Sequence, residues 1–97
     1  MKVESPRTRR DLANLGAHLA ASRKIQGLTQ QELADRAGIT RGTLVRLESG
    51  DGGPRLDALL AVARVLGFSG ALVEAADPLN TEFGRMHAGR ADRKRVR

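Results

Sequence analysis

Residues 29–50, TQQELADRAGITRGTLVRLESG, restrict the fold more than any other stretch. They read as two short helices joined by a tight turn. Thr29 followed by Glu32 has the spacing of a capping box, in which hydroxyl and carboxylate each satisfy an orphan backbone N–H. Leu33, Ala34 and Ala37 then fall on one helical face, and Ala34 is small where a second helix must pass close by. Gly38 follows the last periodic residue, where a left-handed helix end costs glycine no steric penalty. Ile39 can plug the turn into a core, and Thr40 is a second N-cap. Leu44 and Leu47 face inward with Val45 at their edge, and Gly50 ends the second helix.

Once those positions are assigned to the interior, an outward set is left over. Thr40, Arg41, Gly42, Thr43 and Arg46 occupy the N-terminal and exposed part of the second helix, and Gly42 and Arg46 share a face. Arg41 lies in the first helical turn, where the helix dipole favours acids. A residue that opposes local stability points to a function. A helix that offers arginines to solvent, braced by a second helix, suits insertion in the DNA major groove, where arginine pairs with guanine. Thr29 and Gln30, at the start of the first helix, are placed to reach a phosphate or a base edge. The competing reading is a structural helical hairpin with ordinary solvated arginines.

The same stretch resembles the helix-turn-helix of the Cro/C1-type repressors, the Xre family. The matching residues are Gln30, Leu33, Ala34, Ala37, Gly38, Ile39, Leu44, Leu47, Glu48 and Gly50. Upstream, LGAHLAASRKIQGLTQQELA resembles the family's first helix, and downstream PRLDALLAVARVLG resembles its fourth, so the likeness covers roughly residues 15–67. It implies an all-α fold, a compact four- to five-helix lambda-repressor-like DNA-binding domain. It also implies base reading at the positions of Arg41, Gly42 and Arg46, with Gln30 near the backbone. Two departures stand out. Gly42 has no side chain, which moves base reading onto Arg41, Thr43 and Arg46, and Arg55 stands where a capping Ser or Thr is usual. The tail, DPLNTEFGR followed by RKRVR, is similar to small regulators of the HipB antitoxin kind, which bind their own operator and a HipA-like kinase toxin.

The rest of the chain divides around this motif. Residues 1–10 lack periodicity and are expected to be a flexible basic arm, 11–77 the DNA-binding domain, and 78–97 a basic C-terminal tail. Asp11 is the expected cap of a first helix over roughly 12–26, in which Leu12, Leu15, Leu19 and Ile25 mostly share a face. GDGGP at 50–54 cannot continue a helix. A fourth helix over 56–66 carries the stripe Leu56, Leu59, Leu60, Ala63 and Leu66 with Val62 at its edge, and Asp57 suits its first turn. Gly67 ends it. A fifth helix is expected over 69–76, capped by Ser69 and stopped by Pro78.

Charge is uneven. The chain carries +6, of which residues 1–10 hold +3 and 85–97 hold +5, leaving −2 on residues 11–84. The DNA-facing surface must therefore be a local patch, and the two ends either add phosphate affinity or are solvated. With two phenylalanines as the only aromatics, the core must be built from Leu, Ala, Val and Ile, and pairing of two copies would reinforce it. Phe68, Leu72, Val73 and Leu79 read either as the floor of the core or as a two-fold dimer surface. Phe83 and Met86 are apolar residues in a polar tail, suited to anchoring it or to meeting a partner protein.

Several function classes drop out. The chain has no cysteine for disulfides or thiolate metal sites, and His18 and His87 lack ligand spacing, so no cofactor or metal is expected. No nucleophile–base pair is visible, and the glycines of GDGGP lack the preceding strand of a phosphate-binding loop, so an enzyme is not expected. Neither a signal peptide nor an apolar run of membrane-spanning length appears, and a cytoplasmic location is expected. The reading is a sequence-specific DNA-binding regulator of transcription, an autoregulating repressor that binds a palindromic operator in double-stranded DNA as a homodimer. The alternative is a HipB-like antitoxin that holds a HipA-like kinase toxin and co-represses its operon.

Overall fold

The computed structural model describes residues 5–92, and every element within them is helical. In order these are α1 (Pro6–Ile25), α2 (Gln30–Ala37), α3 (Arg41–Glu48), α4 (Leu56–Leu66) and α5 (Ser69–Ala75). A 3-10 turn at Pro78–Asn80, a short α6 (Glu82–Met86) and a second 3-10 turn at Ala88–Asp92 follow. Helix α1 packs against α3, α2 against both α3 and α4, and α5 against α4. The core is aliphatic: Leu19, Leu33, Ala34, Leu44, Val62 and Leu66 are buried together, with Leu15, Leu28, Ile39, Leu47, Leu59 and Phe68 packed around them.

Helix α1 starts earlier than the sequence suggests. Its cap is Ser5, whose hydroxyl accepts from the Thr8 N–H at 3.4 Å, with proline in the first turn where its missing N–H costs nothing. Asp11 therefore sits inside the helix, and Pro6–Arg10 are helical rather than part of an arm; residues 1–4 lie outside the described region. The helix presents Leu12, Leu15 with Gly16, Leu19 and Arg23 to the body, each three or four residues from the neighbouring turn. Ile25 breaks that phase. Six residues beyond Leu19 is a rotation of about 240°, and Ile25 is 85% exposed.

The same arithmetic governs α4. Its buried positions are Ala58, Val62, Ala63 and Leu66. Val62, expected at the edge of the stripe, is at its centre, whereas Leu56, six residues before it, is 71% exposed. No side chain caps α4, in keeping with Arg55 at that position. Helix α5 begins at Ser69, but the preceding Phe68 occupies the cap position and no side chain caps the helix, so Ser69 is its first residue and not its cap. The chain then turns at Pro78, where Asp77 caps the 3-10 turn by accepting from the Leu79 N–H at 2.9 Å. Part of the expected tail is thus helical. Thr81 caps α6 through the Gly84 N–H at 2.9 Å, and Arg85 donates to the Leu79 carbonyl at 2.8 Å. The basic run from Arg93 to Arg97 lies outside the described residues.

Each of the first four helices closes on a left-handed glycine, at 27, 38, 50 and 67. In each case the N–H of the next residue returns to a carbonyl five residues back: Leu28 to Arg23, Ile39 to Ala34, Asp51 to Arg46 and Phe68 to Ala63. Three of those residues, Leu28, Ile39 and Phe68, are apolar and pack on the core. Asp51 is the exception.

Candidate nucleic-acid interface

The two-helix unit assembles as its caps require. Thr29 Oγ1 accepts from the Glu32 N–H at 3.1 Å, and Glu32 Oε1 accepts from the Thr29 N–H at 2.8 Å. The carboxylate gains from the Thr29 backbone N–H first, then from the hydroxyl and the Arg36 charge, and these hold Glu32 below the usual carboxylate range. Helix α2 ends at Gly38 with φ 72°, which redirects the chain, and Ile39 turns inward. Thr40 caps α3 by accepting from the Thr43 N–H at 3.1 Å, and its hydroxyl also meets the Thr43 hydroxyl at 2.9 Å. Leu44 is fully buried and anchors α3, while Leu47 packs beside it; Val45 is 40% exposed.

This anchoring leaves Arg41, Gly42 and Arg46 on the exposed side of α3. A Cβ on Gly42 would meet nothing nearer than the Thr40 hydroxyl at 3.9 Å, so the surface there is open. Arg41 reaches back to α2, where its guanidinium donates to Gln30 Oε1 at 3.4 Å. Gln30 in turn donates to Glu48 Oε1 at 3.0 Å, and Glu48 accepts from Arg23 of α1. Gln30 thus couples the start of α2 to both ends of α3.

Glu48 and Arg23 form an ion pair that sequence reasoning did not find. Arg23 Nε donates to Glu48 Oε2 at 2.7 Å and a second nitrogen to Oε1 at 3.2 Å, while NH1 donates to the Leu28 carbonyl at 2.9 Å. The two side chains are 10% and 7% exposed. The available signal was phase: Arg23 lies four residues after Leu19, on the buried stripe of α1.

Arg46 has its own partner. Its Nε donates to Asp51 Oδ2 at 3.0 Å. Arg46 lies in a groove between α3 and the start of α4, lined by Thr40, Thr43, Gly53, Pro54, Arg55 and Asp57 and floored by Ile39 and Ala58. Arg55, read from sequence only as a missing cap, joins this groove as a second cation, paired with Asp57 at 3.0 Å. Of the residues named from sequence, Gln30, Thr40, Arg41, Thr43 and Arg46 are linked by contacts to one another or to this groove. The Thr29 hydroxyl is engaged in its cap.

A helix braced across another, with cations on its outer face, is what a helix-turn-helix presents. Residues 14–76 match the family model described as a helix-turn-helix domain. The chain belongs to that family. Similarity to an individual protein is narrower: 45 residues are 51% identical to an "Uncharacterized HTH-type transcriptional regulator" of Methanothermobacter thermautotrophicus. The match spans 46% of this chain and 65% of that relative, just under two thirds of its length.

No helix among the described residues is long and apolar enough to cross a membrane. The C-terminal elements leave apolar surface open. Val73 is 64%, Leu79 50%, Phe83 66% and Met86 73% exposed, and the Phe83 ring stacks on His87 at 4.3 Å between centroids. Phe68, by contrast, packs on the core.

Proposed function

We propose that this helix-turn-helix protein is a sequence-specific DNA-binding regulator of transcription, an autoregulating repressor of the Cro/C1 (Xre) kind that binds a palindromic operator as a homodimer. The observation that carries the reading is the outer face of α3. Arg41, Gly42 and Arg46 are exposed on a helix whose other side is locked by Leu44 and by the Glu48–Arg23 pair. In the major groove, Arg46 and Arg41 would pair with bases, and Thr43 would add a smaller contact. Gln30 and Thr29 at the start of α2, and Arg55 with the side-chain-uncapped first turn of α4, would hold phosphates on either side. Occupying the operator would exclude polymerase sterically. Pairing would use the exposed apolar residues after α4, since half-site readers dimerise to match a two-fold site.

The test is fluorescence anisotropy with labelled DNA from upstream of the protein's own gene, at several salt concentrations. Tight binding that survives scrambled competitor is the expected result. Equal binding to both DNAs that vanishes with salt would reduce the interaction to phosphate contact and overturn the reading. Light scattering across a concentration series tests the dimer separately.

A second reading rests on Phe83 and Met86, which the body of the fold leaves exposed. They suit a protein partner, as in an antitoxin that holds a HipA-like kinase toxin and co-represses its operon. Co-purification with the product of an adjacent kinase-like gene tests it.

A further inference from the structure

We propose that Asp51 is a positioning residue that fixes the guanidinium of Arg46 and thereby sets base preference at the position Arg46 reads. The proposal rests on the DNA-reading function given above and deepens it. Asp51 holds Arg46 twice. Its backbone N–H donates to the Arg46 carbonyl at 3.0 Å, closing α3, and its carboxylate oxygen Oδ2 accepts from Arg46 Nε at 3.0 Å. The other carboxylate oxygen accepts from the Gly53 N–H at 2.7 Å, which anchors the carboxylate to the loop. The loop is shaped to receive the arginine: a Cβ on Gly53 would collide with the Arg46 terminal nitrogen NH2.

Comparison within the chain argues that this arrangement serves more than folding. At the ends of α1, α2 and α4, the residue after the left-handed glycine is Leu28, Ile39 or Phe68, each packed on the core. At the end of α3 it is an exposed carboxylate instead. The Arg46 and Asp51 side chains are 52% and 43% exposed, and ion pairs so open to water contribute little stability. An acid on a DNA-facing surface also weakens attraction to phosphate. What Asp51 supplies is orientation. With Nε held by Asp51 and NH2 lying over Gly53, the guanidinium is fixed in one orientation, from which its remaining N–H groups can meet guanine O6 or N7. A long side chain fixed before binding also loses less rotamer freedom on contact.

The experiment is selection from a pool of randomised duplex DNA, followed by anisotropy titration of the selected motif and its single-base variants. The full chain is compared with Asp51→Ala and Gly53→Ala. With Asp51→Ala, binding to unselected duplex strengthens because a negative charge is gone. Discrimination at the base pair that Arg46→Ala also relaxes falls about tenfold. With Gly53→Ala, the same discrimination falls with no gain on unselected duplex, since no charge changes. Thermal midpoints of both variants are measured alongside, and the shift in preference persists at temperatures where all three proteins are folded. If both variants select the wild-type motif with unchanged preference at every position, the proposal is overturned while the DNA-reading function stands. If the wild-type chain itself selects no motif, that function fails and the positioning role fails with it.

Discussion

Arg23 of α1 and Glu48 of α3, 25 residues apart in the chain, form a largely buried ion pair with Nε and Oε2 at 2.7 Å beside an aliphatic core. The pair closes the packing of α1 on α3, and Glu48 also accepts from Gln30. Burying both charges is tolerated because each is hydrogen-bonded: Arg23 also donates to the Leu28 carbonyl, and among the described residues no buried side-chain polar atom is left unpartnered.

Removing one member strands the other. Glu48→Leu or Arg23→Met alone is expected to cost about 3–5 kcal/mol, a loss typical of a broken buried pair. Arg23→Met combined with Glu48→Leu is expected to recover most of that loss, since apolar groups of similar volume replace both charges. Chemical denaturation of the four proteins reads this directly, and a double replacement as unstable as the sum of the singles would contradict it.

Two glycines within helices should respond to alanine in opposite directions. Gly16 lies where α1 crosses the end of α3, and a Cβ there would sit 2.5 Å from the Glu48 carbonyl oxygen and 2.7 Å from that of Leu47. Both are backbone atoms and cannot swing aside, so Gly16→Ala is expected to destabilise by about 1–3 kcal/mol despite alanine's better helix propensity. Gly42 faces open space, and Gly42→Ala is expected to stabilise α3 by roughly 0.5–1 kcal/mol. Urea midpoints that move in the same direction for both would refute the packing argument.

How much of this could be read from the chain depended on how local the signal was. Caps and stops are local, and Thr29 with Glu32, Gly38, Thr40, Gly50 and Gly67 all perform the expected roles. Stripes were legible in their middle and failed at their ends. Leu19 and Leu66 are buried, but Ile25 and Leu56, each six residues from the buried residue that sets the phase, rotate out to solvent. Arg23 escaped notice because an arginine is assumed to be exposed, and only its register with Leu19 betrays it. Long-range geometry was invisible. Nothing in GDGGP announces that Asp51 holds Arg46, or that Arg55 turns to the same groove, because loop conformation decides both.

The Glu32 carboxylate gives α2 a pH signature. Its pKa is lowered in the folded protein by the Thr29 N–H, the Thr29 hydroxyl and Arg36. A lowered folded-state value contributes stability above the unfolded pKa of about 4.3, and that contribution is lost as pH falls through the lower folded value. Glu32→Gln keeps a side chain that can cap but does not titrate. The stability gap between wild type and this variant should be constant from neutral pH to about 5 and shrink below about 4. Thermal midpoints recorded across that range would show it, and a gap that widened on acidification would reverse the sign of the argument.

Arg46 and Arg55 share a groove but should differ in what their loss does to binding. Arg46 projects from α3, the helix proposed to meet base edges, whereas Arg55 precedes the uncapped start of α4, where backbone N–H groups suit phosphate. Arg46→Ala is expected to cost about 1–3 kcal/mol on a selected motif and much less on random duplex, flattening preference at one base pair. Arg55→Ala is expected to weaken binding about equally on every sequence and to reduce the slope of log affinity against log salt by about one. Titrations of both variants on the selected motif, its single-base variants and random duplex, each at three salt concentrations, separate the two roles. A uniform loss with Arg46→Ala would make it a phosphate contact, and base reading would then fall to Arg41 and Thr43.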